Sequence, residues 1–372
     1  MTTTPDIIET VNVARHVAWL PWAVSYFFLI GVSVAGAFLS LPAFLAGRPG
    51  CERMGRMAVL TMLSCALVAP VALLADLHQP GRFWHFYAHL TPWSWMSWGA
   101  LLLPVYVGLA VVYGWLVMRP GLQRGGTLAR LLALGTGDLS GLVRPVAAVT
   151  ALAAAGIVVY TGMEVMVVRA RPLWHTPTLP VMFLFTALTG AAGMALVLNR
   201  VVAGFEAAAE RRLFRALALF SALVLLNGAV WLGLGLTGGG AEADAVASLS
   251  GSGPWLAVAG WAGATALLLL VLGLVAPAGF GWAAGLIALH SAWMFRWTVF
   301  IGGQTVPKTG AGFYDYHLPL GSEGLAGIVG VFGLWVAVVA ILTLVAPWHA
   351  QGTAAIRSGD AGRRAAPPAA AE

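Results

Sequence analysis

Between Asp76 and Gly99 the chain reads DLHQPGRFWHFYAHLTPWSWMSWG, which sets one acid, three histidines, one arginine and four tryptophans between two long apolar runs. Asp76, His78 and Arg82 fall within seven residues of one another. A carboxylate beside a cation keeps its charge while a histidine titrates near neutrality, so this set could bind a polar head group and pass protons. The same residues also fit an ordinary interfacial ion pair.

Further along, Tyr160 and Glu164 stand four apart, which on a helix places them on one face about 6 Å along the axis. An acid within an apolar run is costly and marks a functional site by default. The plainer alternative is that Glu164 only satisfies the hydroxyl of a buried tyrosine. Arg296 also interrupts an apolar run, with Gln304 about two turns later in FIGGQTVPK. Such an arginine must snorkel outward or meet an acid, and Glu164 or an outer-loop group is the expected partner. Tying the two halves together and taking part in chemistry are equally open roles for it.

These polar residues need a scaffold, and the composition defines it. Of 372 residues 60% are hydrophobic and 9% charged, against roughly 25% charged in soluble domains. The expected class is an all-α polytopic membrane protein. Crossing the hydrocarbon takes about 20 apolar residues, and the sequence predicts nine spans. They run over residues 17–46, 55–76, 96–118, 144–168, 178–200, 213–236, 255–275, 279–302 and 323–347. Only Ala276-Pro277-Ala278 separates the seventh from the eighth, and proline between two spanning runs favours a tight turn. Small-residue stretches such as GVSVAGA at 31–37 and GAAGMA at 190–195 predict close helix packing.

Arginine and lysine set the orientation. Fourteen of the twenty fall in one set of loops and the tail, from Arg48 to Arg364, whereas Arg15, Arg82, Arg169, Arg171 and Lys308 make up the sparse alternate set. The amino terminus is therefore predicted outside and the carboxyl terminus in the cytoplasm. His16, His78, His85, His89, His175 and His317 then lie on the outer side, with His290 near mid-membrane, which makes the outer face the chemical one. Rings of this kind also decorate membrane interfaces without further role. The expected organisation is an outer segment 1–16, a four-helix bundle 17–168, a five-helix bundle 169–347 and a disordered cytoplasmic tail 348–372. Two four-helix sets plus a final helix describe the nine spans. The Gly/Ala/Ser-rich stretch 238–253 is expected to be a plain outer connector. The start MTTTPDIIETVNVARH lacks the basic region and short apolar core of a cleaved signal, so insertion is expected to rely on the first span.

Several chemistries are disfavoured. Cys51 and Cys65 form no CxxC pair, and an iron–sulfur cluster needs about four thiolates. A haem between paired histidines lacks ligands, because His290 is the one histidine at that depth. No phosphate-binding loop is present, and the cations form no nucleic-acid motif. What remains is a site for a lipophilic molecule whose head group gains or loses protons.

Several stretches carry a resemblance to one family: LPWAVSYFFLIGVSVAGAFL, DLHQPGRFWHFY with TPWSWMSWG, VYTG at 159–162, RARPLWHTPTLPVMFLFTALTG and FRWTVFIGGQ. Together they make the chain resemble the NrfD/polysulfide-reductase type of membrane anchor. The resemblance implies a quinone-reactive subunit in a bacterial inner membrane, with menaquinone or ubiquinone as its redox partner and no metal, haem or iron–sulfur cluster of its own. It implies docking on a periplasmic four-cluster iron–sulfur subunit and, beyond that, a molybdopterin catalytic subunit. It also assigns Tyr160 and His16 to the quinone ring, and Asp76, His78 and Arg82 to the acid-to-arginine segment after the second helix. Glu164, on the Tyr160 face, is expected to share the proton chemistry. The competing class is a proton-conducting or transporter module lined by Arg296, Glu164, His290 and Asn227. A third is a purely structural anchor.

Overall fold

The computed structural model describes residues 17–306, 313–346 and 348. Among them there is no strand, and nine helices are long and apolar enough to cross a membrane. They are α1 Pro21–Phe44, α2 Glu52–Asp76, α3 Trp95–Arg124, α4 Ser140–Met166, α5 Thr178–Val201, α6 Ala207–Thr237, α7 Gly253–Val275, α8 Gly281–Thr305 and α9 Leu325–Val345. The protein is a multi-pass all-α membrane protein, as its apolar runs predict.

Burial separates core helices from lipid-facing ones. About two thirds or more of the most apolar stretch of α1, α2 and α5 is buried, against 6% of that of α9. Helix α1 occupies the centre, packed on α2, α4, α5 and α8, and α9 lies outside α2. Small residues permit the closest crossings. A Cβ on Gly36 of α1 would sit 2.9 Å from the Ala58 carbonyl oxygen and the Met62 nitrogen of α2. One on Gly193 of α5 would sit 2.8 Å from the Gly285 carbonyl of α8. Dispersion across such approaches is the cohesion available where lipid competes for apolar surface.

The α7–α8 division occurs where Pro277 predicts it. Ala276 takes a left-handed conformation at φ 48°, Gly279 follows at φ 79°, and Glu210 of α6 accepts the Gly279 and Gly281 N–H groups at 3.0 Å each, capping α8. At the opposite end of the bundle from Asp76, buried Arg53 donates to Asn199 Oδ1 and to the carbonyls of Val202, Ala203 and Trp348, at 3.0–3.1 Å. It thereby satisfies the exposed carbonyls of the α5 C-terminus.

The stretch 238–253 is not a plain connector, because Ala241–Ser250 forms a helix. Its alanines favour helix, Glu242 and Asp244 stand in its first turn where the helix dipole favours negative charge, and Ala245 and Leu249 are buried. Glu242 also accepts a 2.7 Å hydrogen bond from the Thr176 hydroxyl.

Candidate functional site

Asp76 is the last residue of α2, and its role is first of all structural. Its Oδ1 accepts the Leu20 N–H at 3.2 Å, with the Ala23 N–H close by. Leu20 is the N-cap position of α1 and has no side-chain oxygen to offer, so a carboxylate from a neighbouring helix supplies the cap and meets the positive end of the α1 dipole. Pro21 at the first helical position suits this start. His78 is exposed and acts on Asp76 through space. Arg82 is exposed in the Pro80–Arg82 turn, so backbone N–H groups hold Asp76 where an ion pair with Arg82 was the simpler expectation.

The approach to α1 is fixed from a second side. Gln304 Oε1 accepts the N–H groups of Ala18 and Trp19 at 2.7 and 3.1 Å, and its Nε2 donates to the Trp19 and Phe300 carbonyls. Gln304 stands at the end of α8, just past a π-helical turn at Thr298–Gly302. In that turn the Val299 carbonyl accepts the Trp174 indole N–H at 2.7 Å, and Arg171 donates to the Gly303 carbonyl at 2.6 Å while lying over the Trp174 ring. Burial in this loop lowers the pKa of Arg171 from its ordinary value by desolvation. Three stretches far apart in sequence, AWLPW, RARPLW and FIGGQ, thus form one knot around the start of α1.

Beneath that knot lie two of the buried polar groups without a hydrogen-bond partner, the others among the described residues being at Arg56, Thr61, Ser221, Arg296 and Tyr316. Tyr160 and Glu164 share a face of α4, and the Tyr160 hydroxyl faces both Glu164 and Tyr26 of α1. Tyr26 is fully buried and Tyr160 nearly so. Both groups are within side-chain reach of Tyr160, yet neither the Tyr26 hydroxyl nor Glu164 Oε2 has a hydrogen bond of good geometry. A Cβ on Gly99 of α3 would collide with the Tyr160 ring, so that glycine is what admits the phenol. Buried polar groups are normally satisfied, so orphans of this kind call for an explanation.

Glu164 does not meet Arg296, contrary to expectation. Buried Arg296 donates to the Thr186 hydroxyl, to the Phe183 carbonyl at 2.8 Å and to the Ala292 carbonyl at 3.3 Å, and it lies against the Phe183 and Phe295 rings. A hydroxyl, carbonyls and aromatic faces of α5 and α8 meet its two terminal nitrogens in place of a carboxylate, and its Nε has no partner. Asn227 donates to the Thr178 carbonyl, and His290 accepts the Trp261 indole N–H. The four residues of the transport reading therefore have four separate sets of partners. His16 lies outside the described residues.

The chain matches the family described as polysulphide reductase, NrfD, over residues 9–308. The chain belongs to the NrfD family. Among relatives, the C subunit of the tetrathionate reductase of Salmonella typhimurium is 34% identical over 92% of this chain and 96% of its own length. The C component of the polysulfide reductase of Wolinella succinogenes is 28% identical over 76% of this chain and 94% of its own. The C subunit of the selenate reductase of Mesobacillus selenatarsenatis is 27% identical over about half of each protein.

Within this NrfD-family fold, sequence reading overlooked Tyr26. It stands in the apolar run YFFLIG, where a tyrosine looks like packing, and its meaning comes from the α3 and α4 residues facing it. Gln304 was visible only as a polar residue after Arg296, although its side chain holds the α1 entry. Among the described residues no group of three or more His, Cys, Asp or Glu stands close enough to hold a metal ion.

Proposed function

We propose that the chain is the membrane subunit of a multi-subunit reductase, passing electrons between the membrane quinone pool and soluble partner subunits at the face carrying Asp76. The observation that carries this reading is the convergence of Tyr26, Tyr160 and Glu164, buried and with hydrogen-bond capacity to spare, below the Asp76 end of α2. Family membership and relatives named as the C components of tetrathionate, polysulfide and selenate reductases support it. A quinone fits this donor set, since its ring oxygens need phenol and carboxyl partners in an otherwise apolar wall.

Oxidation of a hydroquinone releases two protons and two electrons, and the reverse reduction takes them up. Tyr160 accepts a proton from the head group as it passes its own to Glu164. Asp76 and His78 carry protons to the outer face, and Arg82 offers a cation to the departing charge. His16 is assigned to the ring from the family resemblance. Electrons leave to a periplasmic four-cluster iron–sulfur subunit and onward to a molybdopterin subunit, with the chain in a bacterial inner membrane, its amino terminus outside and its carboxyl terminus in the cytoplasm. The described site residues lie within 17–168, the unit we assign to chemistry, and 169–347 braces it through the knot. Trp93 at 86% exposed, with Trp84, Tyr87 and Trp98 around half exposed, provides the aromatic floor for the partner.

Tyr160→Phe and Asp76→Asn are each expected to suppress hydroquinone-linked turnover of the purified complex while leaving all its subunits present in unchanged amounts. Wild-type turnover in both variants would remove this site from consideration. A proton-conducting role is the second reading. It is favoured by a small cavity among α5, α6, α7 and α8, where Thr186, Thr189, Ser221 and Ser291 line the wall together with Val224, Ala266, Leu269 and Ala292, and where Thr186 accepts from Arg296. Proton release in liposomes exceeding two per hydroquinone would support it.

A further inference from the structure

Helices α1 and α3 are joined by a ladder of hydroxyl groups with a seven-residue step. Ser40 of α1 meets the Tyr113 hydroxyl of α3 at 2.8 Å, and Ser33 meets that of Tyr106 at 2.7 Å. All four are fully buried. Each serine also donates its single proton to a backbone carbonyl, Ser40 to Ala37 at 2.6 Å and Ser33 to Met62 at 2.8 Å. A hydroxyl has one donor, so in both rungs the tyrosine donates to the serine.

One step further along, the pattern changes on both sides. Position 26 on α1 is tyrosine and position 99 on α3 is glycine. The space that a side chain at 99 would take is filled by the Tyr160 ring from α4. The Tyr26 hydroxyl has no hydrogen-bond partner, carbonyl or other, and the group facing it is the Tyr160 hydroxyl, which in turn faces Glu164. Two closed rungs serve packing, and the third has been opened toward the site.

We infer that Tyr26 is a positioning residue whose free hydroxyl, once a head group is bound, closes onto the Tyr160 oxygen as donor and so fixes the Tyr160 proton toward Glu164, leaving one Tyr160 lone pair to accept from a hydroquinone. The count follows from the phenol, which has one donor and two acceptor positions. This role rests on the reading of Tyr160 and Glu164 as the head-group site. No covalent step is added, because Tyr26 keeps its own proton throughout.

The test compares Tyr26→Phe, Tyr160→Phe and Tyr106→Phe in the complex purified from membranes. Two readouts are used: fluorescence-quenching titration with 2-heptyl-4-hydroxyquinoline-N-oxide, and menadiol oxidation in H2O and D2O. Tyr26→Phe is expected to weaken inhibitor binding and lower kcat about tenfold each, the scale of one lost hydrogen bond, and to enlarge the solvent isotope effect. Tyr106→Phe, at a closed rung, is expected to leave all three within twofold. Gly99→Ala keeps Tyr26 but displaces the Tyr160 ring, and is expected to reproduce the binding loss. If Tyr160→Phe behaves as wild type, the site reading itself fails. If Tyr160→Phe is impaired while Tyr26→Phe is not, the role of Tyr26 alone is overturned. Equal losses in Tyr26→Phe and Tyr106→Phe with an unchanged isotope effect would assign Tyr26 to ladder stability and overturn it as well.

Discussion

Asp76 combines two duties that a pair of substitutions can separate. Its carboxylate caps α1 through the Leu20 N–H and, in the proposed function, relays protons toward the outer face. Asp76→Asn keeps a side-chain oxygen for the cap and loses the titratable proton; Asp76→Ala loses both. Replacing a capping residue by alanine costs about 1 kcal/mol, and the charge opposite the helix dipole contributes up to about another 1 kcal/mol at a half-buried position. Asp76→Ala is therefore expected to destabilise by about 1–2 kcal/mol, and Asp76→Asn by about 1 kcal/mol or less. In a protein of this size that is a fall of a few degrees in Tm for the alanine variant. The catalytic loss is expected to be the same in both, about 100-fold in hydroquinone-linked turnover, the lower end for a positioned acid–base group. The assay pairs Tm of the detergent-solubilised complex with turnover normalised to the amount of complex. Turnover that follows Tm, intact in Asp76→Asn and reduced only in Asp76→Ala, would refute the proton role and leave a capping residue.

Other substitutions probe the scaffold. Arg53→Lys is expected to reduce accumulation in the membrane severalfold, because an ammonium cannot span Asn199, Val202, Ala203 and Trp348 together; immunoblotting of membranes reads this. Arg296→Met is expected to accumulate within twofold of wild type, since no carboxylate is left unpaired when the charge goes and an apolar side chain of similar volume is tolerated. Gly193→Leu drives a side chain into the Gly285 backbone and is expected to abolish accumulation, the cost exceeding the roughly 1–3 kcal/mol of ordinary overpacking.

Much of the architecture is legible in the residues alone, since spans of about 20 apolar residues announce themselves and Pro277 marks the one division that length leaves open. Features that depend on a partner from elsewhere in the chain were not. The acceptors of Arg296 include backbone carbonyls of Phe183 and Ala292, and a carbonyl has no letter in the sequence. Asp76 caps a helix that begins 56 residues earlier, so the usual local signature of a cap is missing. The helix at Ala241–Ser250 was hidden by the glycines on either side, which made its alanines look like linker. Tyr26 is the instructive case. The seven-residue spacing of Tyr26, Ser33 and Ser40, and of Gly99, Tyr106 and Tyr113, is visible in the sequence, but the register that sets one series against the other comes only from packing.

Helix α9 bears on how the protein is made. It buries little beyond Gly327 and Val331 and packs mainly along α2, so the first eight helices complete their mutual contacts without it. During synthesis it can dock last onto a finished body, with the Trp348 carbonyl reaching Arg53 as the latch. As a ninth crossing it also decides on which side the chain after it emerges, a choice of compartment made by an element that contributes almost nothing to the core.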